Sequence, residues 1–278
     1  MNKVLNPPQG EVAEMVLAHG SRSKVIAVTS GRGGVGKTFV SANLASSLVE
    51  RGLRVLVLDA DLGLANLDVV LNLCHKITLH HVIAGKSRLE EAIYKAPGGF
   101  SVLLAGTGTV EFSRLASEVH DEFLRIVESL LPNYDIVLLD TGAGISEVVQ
   151  FSLSMASEIL LVVTPEPTSL TDAYATIKVL AAQQKLQKLH VVVNQAVQTV
   201  DGNVFTTKLQ QVLDRFVNKD SEHPLKLIHM GDIPVDSAVR QAIMKRQLLA
   251  QSAPGCPAAL AIAQLASKLE DAVIKHGA

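Results

Sequence analysis

The chain contains no tryptophan, and aromatic residues make up only 4 % of its 278 positions. Whatever core it builds is therefore aliphatic, drawn from a 48 % hydrophobic share. Such a composition suits parallel strands buried on both faces. Cysteines are equally scarce. Cys74 and Cys256 lie far apart, which excludes a disulfide framework and a paired-thiolate metal motif and fits a reduced cytosolic setting. Charge of one sign is missing too: 25 Lys and Arg against 27 Asp and Glu leave a net charge of −2. No global basic field recruits nucleic acid, so direct DNA binding is not expected. No apolar run approaches the ~20 residues of a membrane span, and no signal peptide opens the chain. The expectation is a soluble cytoplasmic protein.

What the chain does have is alternation. Strand-like runs at 25–29, 54–58, 101–104, 135–139, 159–163, 190–193 and 227–230 interleave with helical periods. The helical stretches are 37–50, 79–84, 117–131, 146–156, 169–184, 204–217, 237–246 and 258–275. This order predicts an α/β fold, a single doubly wound, mainly parallel sheet with helices on both faces. Residues 1–23, with Pro7-Pro8 and a short helical patch from Glu11 to His19, read as an N-terminal extension. Residues 24–256 read as one globular domain, and 257–278 as a C-terminal helix.

Gly31-Arg32-Gly33-Gly34-Val35-Gly36-Lys37-Thr38 is a Walker A phosphate loop in its required place, behind an apolar strand and ahead of a helix. Glycines let successive N–H groups turn toward phosphate oxygens, and the helix N-terminus adds partial positive charge. Lys37 can reach the β/γ-phosphates and Thr38 can offer a hydroxyl to Mg²⁺. Gly33 through Phe39 form the expected phosphate-binding run. The ligand implied is a nucleoside triphosphate with Mg²⁺.

Ligands on doubly wound sheets bind beyond the carboxyl ends of the strands, and four strand ends here are polar. Asp140 follows Ile136-Val137-Leu138-Leu139 and precedes a glycine turn, the Walker B arrangement for holding Mg²⁺ directly or through water. A plain helix N-cap is its competing role. Asp59 and Asp61 follow Val55-Leu56-Val57-Leu58, and residues i and i+2 of an extended strand face one way. One carboxylate can support the Mg²⁺ hydration shell while the other orients a water; the alternative is two turn residues. Asn194 ends a third strand, and Pro234 and Asp236 follow a fourth. An amide can pair with an adenine edge through both donor and acceptor, or simply cap the strand end.

The doubled Gly33-Gly34, the Asp59-Ala60-Asp61 segment running into 63–68, and Asp140-Thr141-Gly142-Ala143-Gly144 resemble the MinD/ParA class of deviant Walker A ATPases. The stretch from Pro165 to Tyr174, together with Asn66-Leu67-Asp68, is most similar to the FlhG/FleN branch, which regulates the number and placement of bacterial flagella. The resemblance spans residues 24–247. It implies an ATPase that forms a homodimer on ATP binding, with two nucleotides sandwiched at the interface. On matching positions Lys37 holds the β/γ-phosphates, Thr38 the Mg²⁺ and Asp61 the catalytic water. Asn194 reads adenine, with Pro234 and Asp236 packing around the base.

One position departs from the pattern. The family's signature lysine, which reaches across the dimer to the partner's phosphates, is Arg32 here. Arginine keeps the charge but is bulkier and more exacting in geometry, so slow or altered hydrolysis is expected. Implied partners are a flagellar GTPase, a flagellar transcription activator or basal-body components. Three alternatives stay open: a nucleotide-bound scaffold with little hydrolysis, or a ParA- or MinD-type positioning ATPase acting on DNA or on membrane. The stripe Ile262, Leu265, Leu269 and Val273 fits either a helix packed on the domain or a peripheral contact at the inner face of the cell membrane.

Overall fold

A computed structural model of the chain describes residues 23–61, 67–106, 117–184, 186–197, 201–219 and 221–275. The expected helical patch at 11–19 and residues 63–66 lie outside the described residues. Eight strands, β1 (Lys24–Ser30), β2 (Val55–Ala60), β3 (Ile93–Lys95), β4 (Ser101–Leu103), β5 (Ile136–Ala143), β6 (Glu158–Val163), β7 (Lys188–Ala196) and β8 (Lys226–Pro234), form one sheet. Their order is β3-β4-β2-β5-β1-β6-β7-β8. Every pairing is parallel except that of β3 with β4. The chain runs from β1 to β2 in one direction and from β5 to β6 on the other side of β1. That reversal places a crevice at the carboxyl end of β1, where the glycine loop begins.

The helices are α1 (Lys37–Glu50), α2 (Leu67–Leu71), α3 (Leu79–Ile83), α4 (Leu89–Ala92), α5 (Ser117–Leu130) and α6 (Glu147–Ser154). Beyond them come α7 (Pro167–Gln184), α8 (Gly202–Phe216), α9 (Ser237–Lys245), α10 (Leu249–Ser252) and α11 (Pro257–Glu270). Alternate strand residues feed two aliphatic cores. Ala27, Leu58 and Leu139 belong to the core under α5 to α8, whereas Ile26, Val57 and Leu138 belong to the core under α1 and α11. In α8 the apolar spacing Phe205, Leu209, Leu213 sets the buried stripe, and the Asp201 carboxylate caps the helix by accepting from the Asn203 and Val204 amides. Helix α1 is buried on every side from Phe39 to Leu48, tolerable because its polar residues there are short. Among them Asn43 donates to Phe39 O at 2.8 Å and accepts from the Leu249 amide at 2.8 Å, tying the loop helix to α10.

Several boundaries differ from those the sequence predicts. β7 and β8 continue through Asn194-Gln195-Ala196 and Gly231-Asp232-Ile233-Pro234, because ladder hydrogen bonds carry on past the point where apolar residues stop. The short antiparallel β3 has too few residues to signal itself by periodicity. The last helix leaves α geometry at Asp271 and finishes as a π-turn over Asp271–Lys275.

α11 packs on α1 and β8, with Ile262, Leu265, Leu269 and Val273 all buried. Arg51 at the end of α1 pairs with Glu270 at 2.5 Å. Leu265→Ala should therefore cost about 2–5 kcal/mol by cavity formation, read as a lower urea midpoint with an unchanged denaturant slope.

Candidate functional site

β1 delivers Ser30 to the sheet edge, and the next six residues turn back into α1. Gly31 cannot carry a side chain: a Cβ there would stand 2.4 Å from the Asp172 carbonyl carbon at the start of α7. Gly36, the residue before α1, has φ +93°, a conformation that favours glycine. Lys37 Nζ donates to Ser30 Oγ at 2.9 Å, and Ser30 Oγ donates to Arg32 O at 2.6 Å. Burial lowers the Lys37 pKa, and the carboxylates of Asp140 and Asp61 act against that shift.

The acids meet around this lysine. Asp59 and Asp140 are register partners on the adjacent strands β2 and β5, and both are buried. Burial pushes the Asp59 carboxyl well above its ordinary range, and the neighbouring Asp140 adds to the effect. Asp140 rises to about 6, driven by burial and restrained by hydrogen bonds from Thr38 and Ser41 and by the charge of Lys37. The Ser41 hydroxyl donates to Asp140 Oδ1 at 2.9 Å. Asp59 Oδ1 accepts from the Asp61 amide at 3.2 Å, while its buried Oδ2 has no hydrogen-bond partner. A Cβ on Gly142 would lie 3.5 Å from the Asp61 carboxylate, which places Asp61 beside the end of β5. Lys37, Thr38, Asp59, Asp61 and Asp140 are thus brought together.

Other expected site residues occupy less open positions. Phe39 and Val35 are buried in the core, so the loop can offer a ligand their backbone groups but not their side chains. Asn194 Nδ2 donates to Val35 O at 2.7 Å. Pro234 closes β8. Asp236 accepts from the Ala238 amide at 2.9 Å and the Ala258 amide at 3.2 Å, bonds that hold its carboxyl below the usual range. Both of its oxygens therefore serve as helix caps, leaving the exposed Val235 as the side chain free to flank a base. Arg32 points away from its own phosphate loop, donating to Glu166 Oε2 at 3.2 Å and Thr168 Oγ1 at 2.6 Å.

Sequence reasoning missed Ser30 and Ser41. The signal for Ser41 was available, because it stands three residues after Thr38 on the same helix face.

The residues present fit Mg²⁺. This small hard cation keeps most of its water and takes only one or two protein oxygens beside phosphate. The Thr38 hydroxyl, Asp140 and the unpaired Asp59 Oδ2 are oxygen donors of that kind. Among the described residues no group of three or more His, Cys, Asp or Glu could cage a metal by itself.

Residues 23–199 match the family model of an AAA domain. The chain is 40 % identical over 247 residues to the antiactivator FleN of Pseudomonas aeruginosa, covering 89 % of this chain and 86 % of that protein. It is 33 % identical over 258 residues to the flagellum site-determining protein YlxH of Helicobacter pylori, covering 91 % and 85 %. Among solved structures it is similar to the septum site-determining protein MinD of Pyrococcus horikoshii complexed with Mg-ADP, with a TM-score of 0.70 and 27 % identity over 90 % of this chain and 97 % of that one.

The buried Asp140 yields a pH test. A carboxyl whose folded pKa is raised contributes stability at low pH, and that contribution is lost as pH rises through the folded value, here about 6. Asp140→Asn should therefore match the parent near pH 4 and exceed it at pH 8 by up to about 3 kcal/mol in nucleotide-free protein without Mg²⁺. Denaturation midpoints at the two pH values check it.

Proposed function

The chain belongs to the MinD/ParA family of deviant Walker A ATPases, and from that membership we propose that it is an ATP-driven dimeric switch regulating flagellar number and placement through partner proteins. The observation that carries this reading is the meeting of Lys37, Thr38, Asp59, Asp61 and Asp140 at the carboxyl ends of adjacent strands. Kinship with an antiactivator and a flagellum site-determining protein supports a regulatory partner. The partner class is a flagellar GTPase or transcription activator.

The loop amides and Lys37 receive the triphosphate, and Lys37 leaves Ser30 to do so. Thr38 and Asp140 would hold Mg²⁺, with Asp59 on its hydration shell. A Mg²⁺ held by these residues would supply charge neutralisation to the phosphates. Asp61 orients the attacking water by accepting its hydrogen bond, so hydrolysis rests on positioning and electrostatics. With one amide N–H committed to Val35, Asn194 keeps its Oδ1 acceptor for the adenine amino group, and the turn from Pro234 to Asp236 borders the base. ATP and ADP differ in their contacts with Lys37 and Asp61, which is the differential interaction a switch requires. Arg32 acts across the dimer on the partner's phosphates, for which it must release Glu166 and Thr168. That same cis pairing favours a second reading, a nucleotide-bound scaffold with little turnover.

The protein operates in the cytoplasm. No described helix is long and apolar enough to cross a membrane. The C-terminal apolar stripe is buried against α1 and β8, so a peripheral membrane contact requires α11 to detach.

Light scattering of the nucleotide-free, ADP-bound and ATP-analogue-bound protein tests the switch. Doubling of mass with the analogue alone is expected, and Lys37→Ala should abolish it. Asp61→Ala should keep the ATP-bound dimer while lowering turnover about 100-fold. Unchanged mass in all three states removes the switch. Measurable turnover that Arg32→Lys fails to raise removes the scaffold. A deletion strain with normal flagella refutes the flagellar assignment.

A further inference from the structure

We propose that Asn194 is a positioning residue of the phosphate loop, its buried amide bracing the Val35 carbonyl so that the loop is preformed before any nucleotide arrives. The inference rests on the reading above only in taking residues 31–38 as a phosphate loop; it assigns Asn194 a task apart from contact with a base.

Three observations carry it. The first is the bond itself: Asn194 Nδ2 donates to Val35 O at 2.7 Å, between residues 159 positions apart, and Asn194 is 6 % exposed. A carbonyl oxygen can only accept, so the amide has one possible orientation and its nitrogen faces the loop. The second is steric. A Cβ on Gly36 would stand 2.5 Å from Asn194 Nδ2, and Gly36 already has φ +93°. The loop backbone and this amide are thus packed as closely as a glycine permits. The third is the strand geometry. β6 ends at Val163, the register partner of Val193, so Asn194 lies one residue beyond the end of β6 and can reach over it toward the loop. There β7 turns sharply: Gln195 has φ +57°, and the register with β8 slips between Asn194 and Ala196.

The chemistry follows. A loop that binds phosphate through convergent N–H groups must keep those groups pointed inward, and its carbonyls must therefore be held outward. Val35 is anchored on one side by its own side chain, which is 2 % exposed in the core, and on the other by Asn194 acting on its carbonyl. Without that donor the peptide between Val35 and Gly36 is free to turn its oxygen into the phosphate site. Loss of Asn194 thus weakens binding of any triphosphate, whatever its base.

Hydrogen exchange on the nucleotide-free full chain tests this without relying on ATP binding. In Asn194→Ala the amides of residues 33–37 should exchange about tenfold faster, with β1 and β5 unchanged. Asn194→Asp keeps the shape, replaces the donor by an acceptor and guards against a misfolded alanine variant; at pH 8 it should match or exceed the alanine effect. GTP affinity should fall in both variants, and ATP affinity at least as far in Asn194→Ala, which also loses the Oδ1 acceptor. Loop exchange within twofold of the parent in both variants overturns the proposal, as does protection retained in Asn194→Asp alone, which would make the side chain a filler. Loss of ATP over GTP preference with unaltered loop exchange would leave Asn194 as a base reader only. Failure of the parent to bind ATP would instead sink the switch and leave the exchange result standing.

Discussion

Two carboxylates side by side on adjacent buried strands are the constraint around which this molecule is arranged. Asp59 and Asp140 face the same site because β2 and β5 run parallel in register, and neither reaches bulk water. With Asp61 they set three acids against one lysine. Burying like charges is costly unless each is hydrogen-bonded or neutralised. The chain meets part of that demand through Thr38, Ser41 and the Asp61 amide, and lets the remainder appear as raised carboxyl pKa values. The unpaired Asp59 Oδ2 marks where compensation is still wanted. A fold that carries such a deficit in its core is one whose stability responds to a bound cation and phosphate. A ligand that neutralises these acids in the folded chain adds its binding free energy to stability.

The loop that supplies Lys37 and Thr38 is also the mechanical centre. Gly31 packs against the α7 backbone at Asp172, Arg32 grips Glu166 and Thr168 at the start of the same helix, and Gly36 packs against Asn194 on β7. On the other side α1 is locked to α10 through Asn43 and to α11 through the shared aliphatic core. The loop and its helix thus contact elements from β7 to the C-terminal helix. Interiors packed this tightly pass on small displacements rather than absorb them, which is what a nucleotide-gated surface needs.

Much of this was legible in the residues. The phosphate loop is a local pattern, and Asp59 and Asp140 announced themselves as acids at the ends of apolar runs whose strands had to be parallel. The sheet followed from alternation alone. What stayed hidden depends on tertiary register. That Asn194 braces Val35 requires β7 to run on past the end of β6, with Asn194 the first residue beyond it, and strand ends are poorly marked by apolar residues. That Asp236 caps two backbone amides requires α9 and α11 to converge on one point. β3 is three residues long and antiparallel, too short for any period to show. Ser41 was within reach: a hydroxyl one helical turn after Thr38 must face wherever Thr38 faces, although it lies outside the phosphate-loop pattern itself.

Arg32 is the point at which switch and scaffold part, and the energetics of its pairing decide what the difference can depend on. Its bonds to Glu166 and Thr168 are exposed, with side chains 41 % and 58 % accessible in the ion pair. An exposed ion pair of this kind is worth about 0–1 kcal/mol. Releasing it therefore presents little obstacle to dimerisation driven by a triphosphate, and the cis contact cannot by itself hold the chain in a monomeric state. The consequence lies in geometry instead. A lysine places a point charge that tolerates error in distance and angle, whereas a guanidinium fork gains its full strength only when both donors meet phosphate oxygens in one plane. If the dimer presents phosphate to Arg32 in that plane, arginine stabilises transition-state charge as well as lysine does. If it is off by a fraction of an ångström, nucleotide is still held but the developing charge is not met. On the proposed dimeric reading, turnover would hinge on the fit of one planar group at the interface, and binding on the buried acids and the braced loop.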